Sequence, residues 1–289
     1  MINNDDAASI LVVGSGAMGR QIGMAAAVAG FPTTVRDVSA SAVEAASDDM
    51  RFWLDSRVAK GRMSAEEAEA VWGRIAFTTE LQPAASSADL IIEAATEKLD
   101  VKRAIFAELD ALAPASAVLV TNSSTYGSSF VADSTSRPEK VCNMHFFNPA
   151  LVMKAVEVVR HERTSDETVD YVISVIERMG KTPIVLNKEV PGFVANRLMG
   201  AVRAEALDLY AAGVASIEDI DAAAKTALGY PMGPFELMDL VGLDVTYLIR
   251  QATYEVTGDE AEKPHPLLEE KYAAGQYGRK SGQGWYTYD

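Results

Sequence analysis

Gly14-Ser15-Gly16-Ala17-Met18-Gly19 stands between a short β-branched run, Ile10-Leu11-Val12-Val13, and an alanine- and glycine-rich stretch that ends near Gly30. No other feature restricts the fold as strongly. A G-x-G-x-x-G placed after a strand and at the start of a helix reads as a dinucleotide-binding turn. Gly14 permits the tight turn, Gly16 lets the backbone approach a pyrophosphate, and Gly19 lets the helix pack closely on the strand. With Ala17 and Met18, the first helical residues offer free N–H groups and the positive end of the helix dipole to an anion. A tight turn without a ligand would leave three glycines at this spacing unexplained.

Thr33 to Val35 reads as the second strand and ends at Asp37, close to the ~20-residue spacing at which an acid binds the adenosine ribose hydroxyls. A carboxylate there repels a 2′-phosphate, so NAD is the expected cofactor. Arg36 is adjacent, and an arginine near this place is able to accept the extra phosphate of NADP.

Strand-like and helix-like segments continue to alternate, with strands expected over 75–77, 90–93, 118–120, 155–159 and 184–186 and helices over 101–112 and 166–179. Continuous apolar strands separated by helices specify a parallel sheet covered on both faces. The interval 41–74 is too long for a plain crossover and reads as two helices meeting at Lys60-Gly61-Arg62, the second opened by the capping-box pattern Ser64-Ala65-Glu66-Glu67. Pro191-Gly192 marks a boundary, after which only helical patterns occur, over 194–212, 216–229, 234–240, 244–257 and 266–274. The expected architecture is a Rossmann-type doubly wound α/β sheet with a helical hairpin insertion over 1–188, followed by an all-helical domain over 189–289.

The 41 acidic against 26 basic residues give a net charge of −15, which disfavours a nucleic-acid partner. No segment reaches the ~18 unbroken apolar residues of a membrane span, and the opening residues are acidic, unlike a targeting peptide; a cytoplasmic protein is expected. Cys142 is the single cysteine and reads as a small buried residue, and no metal site is expected.

Only three histidines occur. His145 ends one apolar segment, and Glu157 lies within the next β-type segment, so the two side chains can meet across neighbouring strands. Such a pair makes an oriented, basic imidazole of the kind proton abstraction requires. It is equally what a core histidine bonded to a buried carboxylate would look like. His161 and His265 lack such companions and read as surface residues.

Taken in order, Gly14 to Gly19, Glu93-Ala94 with Glu97 and Lys102, Thr121-Asn122-Ser123-Ser124, His145-Phe146-Phe147-Asn148-Pro149, Met153 to Val158, Pro191-Gly192-Phe193 with Asn196-Arg197, and Gly229 to Leu237 resemble the L-3-hydroxyacyl-CoA dehydrogenases. The bacterial 3-hydroxybutyryl-CoA dehydrogenases are the most similar branch. The resemblance implies NAD-dependent oxidation of a short-chain L-3-hydroxyacyl-CoA to the 3-ketoacyl-CoA, or the reverse. It makes His145 the base, Glu157 its orienting carboxylate, and Ser124 and Asn196 hydrogen-bonding partners of the substrate oxygen and the histidine. Glu97, Lys102, Asn122 and Asn148 fall on the cofactor side, Asn148 also shaping the catalytic site, and Lys60 and Arg62 become contacts for coenzyme A phosphates. On the residues alone, Ser124 and Asn196 read as local caps and Lys60 and Arg62 as an ordinary polar loop tip, while Glu97 and Lys102 read equally as solvated helix charges.

Tyr126 replaces the aliphatic residue common in the family, and Gly127-Ser128-Ser129-Phe130 departs from its usual pattern, which bears on the acyl pocket. Two other readings are a dehydrogenase of a free hydroxy acid or sugar acid, similar to L-gulonate dehydrogenase, and a non-catalytic NAD-binding structural protein. Leu198, Met199, Val202, Leu207, Leu209, Phe235, Leu237, Met238, Leu240, Val241 and Leu243 give the helical domain more apolar surface than its own core needs. A homodimer through that domain is expected.

Overall fold

The computed structural model describes residues 8–258, 260 and 263–288, which divide into two compact units after Val194. The boundary read from sequence at 188/189 falls just before this division. In the first unit, strands β1 (Ile10–Val13), β2 (Thr33–Arg36), β3 (Ile75–Thr78), β4 (Leu90–Glu93), β5 (Val118–Thr121), β6 (Val141–Phe146), β7 (Ala155–Val159) and β8 (Thr182–Leu186) form one sheet in the order β3-β2-β1-β4-β5-β6-β7-β8. Helices α1 (Ala17–Val28), α2 (Ala40–Ala59), α3 (Ala65–Trp72), α4 (Leu81–Ala85), α5 (Leu99–Leu112), α6 (Ser129–Ala132) and α7 (Asp166–Arg178) connect them.

β1, β4 and β5 are buried along their whole length, as strands covered on both faces must be. One core, including Ile10, Val12, Ile92, Val120 and Met144, packs beneath α1 and α7. A second, including Leu11, Val13, Ile91, Phe106 and Leu119, packs beneath α5. β1 pairs with both β2 and β4, so the strand order reverses there and opens a crevice at the carboxyl ends of β1 and β4. The sheet departs from the all-parallel reading at one place: β6 and β7 are antiparallel. No helix separates them, so the chain turns back directly after Phe146.

The interval 41–74 forms α2 and α3, with Ser64 and Glu67 completing the capping box. Met50, Leu54, Ala68 and Val71 bury against Met24, Ala27 and Val35, so one face of the hairpin is seated on α1 and β2 while its turn, Lys60 to Arg62, is exposed.

The second unit contains α8 (Ala195–Ala211), α9 (Ile217–Ala227), α10 (Pro234–Val241), α11 (Leu243–Thr257) and α12 (Pro266–Ala273). Leu207, Phe235, Met238, Leu243, Leu268 and Trp285 form its core. The segment after α12 lacks a periodic signal and is fixed instead by a buried carboxylate. Asp239 accepts the N–H groups of Trp285 and Tyr286, each at 2.9 Å, and the Tyr288 hydroxyl.

Candidate active site

The glycine turn lies at the β1/β4 crevice. Gly14 has φ +104°, and a Cβ there would meet the Ala94 and Ala95 backbone at 2.5–2.7 Å. A Cβ on Gly19 would lie 1.8 Å from the Gly14 carbonyl oxygen, so α1 packs against the turn only without a side chain. Nothing stands within 4 Å of a Cβ built on Gly16, which therefore faces open space at the start of α1. That helix has no acidic residue in its first turn and no side-chain cap, leaving the N–H groups there for an anion.

Asp37 Oδ2 accepts from the Ser15 N–H at 2.8 Å and the Ser15 hydroxyl at 3.0 Å. Partial burial pushes the Asp37 carboxyl up, but these bonds and the Ser39 N–H outweigh it and hold the group below the usual carboxylate range. Arg36 Nε donates to the Thr79 carbonyl at 3.2 Å. The turn, the free helix end and the ionised Asp37 fit a dinucleotide.

Glu93 ends β4 fully buried, and its Oε2 accepts from Lys102 Nζ at 2.7 Å and Thr121 Oγ1 at 2.8 Å. Lys102 is equally buried and is not a solvated helix charge. Removing either partner would leave an uncompensated buried charge. Glu97 stays largely exposed, 3.9 Å from Lys102 Nζ, and accepts the Ser123 hydroxyl at 2.7 Å.

The antiparallel register places His145 directly opposite Glu157. Their contact, Nδ1 to Oε2, is 2.8 Å, and Glu157 Oε1 accepts the Val194 N–H at 3.0 Å. Glu157 is fully buried, while the His145 side chain keeps 7% exposure. Phe147 and Phe193 stand edge-on to the imidazole at 4.7 and 5.5 Å. Nε2 has no hydrogen-bond partner among the described residues and is not sealed from solvent. With Nδ1–H held by a carboxylate, Nε2 is the atom presented as an acceptor.

Asn122 spends its side-chain oxygen on the Phe146 N–H at 2.9 Å, which ties the end of β5 to that of β6. Ser124 is half-buried in the following loop, and its hydroxyl has no hydrogen bond among the described residues. Asn148 is exposed just past β6. Lys60 and Arg62 are exposed at the hairpin turn. Asn196 stands in the first turn of α8.

Two histidine readings change. His161 is buried, its Nε2 3.1 Å from the Pro138 carbonyl and its Nδ1 accepting the Arg163 N–H, because the turn after β7 packs against the segment that enters β6. His265 is half-buried and caps α12 by accepting the Leu267 N–H. Cys142 is fully buried, and that burial pushes its thiol up to about 12. Sequence reasoning missed Asn143 and Glu189, and it gave no role to Glu93, Thr121 and Ser123. A carboxylate closing the otherwise apolar run Leu90-Ile91-Ile92 and an amide inside β6 were the available signals.

Residues 9–190 match the family model described as 3-hydroxyacyl-CoA dehydrogenase, NAD binding domain, and residues 192–288 match that family's C-terminal domain. A probable 3-hydroxybutyryl-CoA dehydrogenase of Bacillus subtilis is 39% identical over 280 residues, 97% of each chain. The 3-hydroxybutyryl-CoA dehydrogenase of Clostridioides difficile is 38% identical over 97% of this chain and 99% of its own. The crystal structure of an (S)-3-hydroxybutyryl-CoA dehydrogenase from Ralstonia eutropha superposes with a TM-score of 0.90 at 34% identity, covering 98% of this chain and 100% of that one.

Proposed function

Because the chain belongs to the 3-hydroxyacyl-CoA dehydrogenase family and begins with that family's NAD-binding domain, we propose that it interconverts short-chain L-3-hydroxyacyl-CoA and 3-ketoacyl-CoA, 3-hydroxybutyryl-CoA foremost, with His145 as the base. The observation that carries this is the 2.8 Å contact of His145 Nδ1 with the buried Glu157, which leaves Nε2 unpartnered among the described residues. In the oxidative direction Nε2 takes the 3-hydroxyl proton, and the Nδ1–H bond to Glu157 stabilises the imidazolium that results. Bound NAD supplies the acceptor for the hydride leaving C3. Gly14, Gly16, Ala17, Met18 and Gly19 would hold its pyrophosphate and Asp37 its ribose, with Glu97, Lys102, Asn122 and Asn148 on the nicotinamide side.

Ser124, through its unengaged hydroxyl, and Asn196, on the family resemblance alone, are assigned as donors to the substrate oxygen as negative charge develops there. Lys60 and Arg62, exposed and cationic, are assigned to coenzyme A phosphates on a protein whose net charge is otherwise repulsive to them.

The test is acetoacetyl-CoA reduction by NADH, run beside free acetoacetate and a sugar acid. His145→Gln keeps a polar ring-sized side chain without a titratable nitrogen. Its turnover should fall by ~10² to 10⁴ while NADH binding is retained. Near wild-type turnover in this variant would exclude His145 as the base, and preference for a free acid would exclude the acyl-CoA substrate.

A further inference from the structure

Asn143 and Glu189 together hold the loop that carries Ser124, Asn143 along its length and Glu189 at its far end. Asn143 lies two residues before His145 on β6, so the two side chains leave the same face of one strand. It is fully buried and uses its whole amide on the loop backbone. Nδ2 donates to the carbonyls of Ser123 at 3.2 Å and Tyr126 at 3.0 Å, and Oδ1 accepts the Ser128 N–H at 2.6 Å. Those three groups bracket Ser124. A buried amide satisfied on every side leaves its partners one arrangement, since any shift strands a desolvated polar group.

Glu189 grips the far end of the same loop. Its Oε1 accepts the Ser128 hydroxyl and the Ser129 N–H, both at 2.9 Å, and its Oε2 accepts the Ser129 hydroxyl at 2.5 Å. The carboxylate occupies the space that a side chain at position 127 would need, since a Cβ on Gly127 would lie 2.4 Å from its carboxyl carbon. The residues that depart from the family pattern, Gly127 to Ser129, are therefore those that receive this carboxylate. The segment that follows Glu189 reaches the base. Phe193 folds back to the Val190 carbonyl, adopts φ +50° and packs edge-on to His145, and the Val194 N–H holds Glu157.

We propose that Asn143 and Glu189 are positioning residues of the dehydrogenase reaction, joining the Ser124 loop to the His145–Glu157 pair so that both meet the substrate oxygen in fixed geometry. This rests on the roles given above to Ser124 and His145.

Glu189, only half-buried, is the variant of choice because its removal leaves the sheet core intact. In the full-length protein, Glu189→Ala should lower kcat for acetoacetyl-CoA reduction by about 10- to 100-fold, the scale of a misplaced catalytic group. The NADH dissociation constant and melting midpoint should stay near wild type. Glu189→Gln, whose amide oxygen still accepts from Ser128 and Ser129, should recover most of the activity. In a Ser124→Ala background, adding Glu189→Ala should cost less than about threefold, because residues acting as one unit are non-additive. Asn143→Asp retains the acceptor for Ser128 but turns a carboxylate on two carbonyls, and should show the same kcat loss. Wild-type kcat in Glu189→Ala, or losses that multiply in the double variant, would overturn the positioning role, and full kcat in Asn143→Asp would remove Asn143 from it. Full activity in Ser124→Ala would instead overturn the mechanistic reading of Ser124, so the two failures are distinct.

Discussion

Asp37 is an acid whose charge is fixed by a neighbour in the phosphate turn itself. Ser15 donates to it through both its N–H and its hydroxyl, and the carboxyl titrates below its ordinary range. A depressed folded-state value means that the carboxylate's contribution to stability is fully present above the ordinary aspartate value of about 4 and is lost as pH falls through the depressed value. Asp37→Asn should therefore lower the melting midpoint fully at pH 6 to 7, and the deficit should shrink on acidification below about pH 4. A deficit independent of pH would show that the negative charge is not what Ser15 stabilises. At neutral pH, Asp37→Ala should also relax discrimination against NADPH.

At the scale of elements, the β1–turn–α1 unit separates two kinds of glycine. Gly19 is required by the fold, because any Cβ collides with the Gly14 carbonyl, whereas Gly16 is required only by what approaches from outside. Gly19→Ala should lower the melting midpoint by several degrees, roughly the effect of 1 to 2 kcal/mol in a chain of this size. Gly16→Ala should melt like wild type and bind NADH about tenfold more weakly or worse, a loss of ~1.4 kcal/mol or more. Calorimetry and fluorescence titration on the pair check both. Unchanged NADH affinity in Gly16→Ala would move the pyrophosphate away from this turn. The antiparallel β6–β7 ladder is similarly exacting, since a slip of one residue would send Glu157 to the other face of the sheet, away from His145.

On the scale of the whole molecule, the second unit leaves apolar side chains uncovered. Leu207, Phe235, Met238 and Leu243 are in its core, yet Leu198 is 64% exposed, Leu248 50% and Leu240 49%, with Val241 and Val245 also exposed. Exposed leucines and valines on α8, α10 and α11 support the expectation of an association surface in this unit, and a two-fold homodimer is the commonest closed solution. Light scattering at micromolar concentration should give about twice the chain mass, and Leu240→Asp with Leu248→Asp should halve it. A monomer at all concentrations would rule the dimer out. Among the described residues no helix is long and apolar enough to cross a membrane.

Periodic and punctuated patterns were legible along the chain. The strand–glycine–helix signal at Gly14 to Gly19, the hairpin with its Ser64 box and the helical second domain are local patterns, and each forms because neighbouring residues along the chain impose it. The reading of His145 with Glu157 also needed only two adjacent apolar segments. Tertiary structure alone decided the rest, for a consistent reason: burial and pairing depend on what arrives from far along the chain. Lys102 is a helix-face lysine until β4 brings Glu93 beneath it, and His161 is an ordinary turn histidine until Pro138 covers it. Asn143 and Glu189 are unremarked polar residues until the fold sets them against the Ser124 loop, where desolvation makes each of their hydrogen bonds costly to lose.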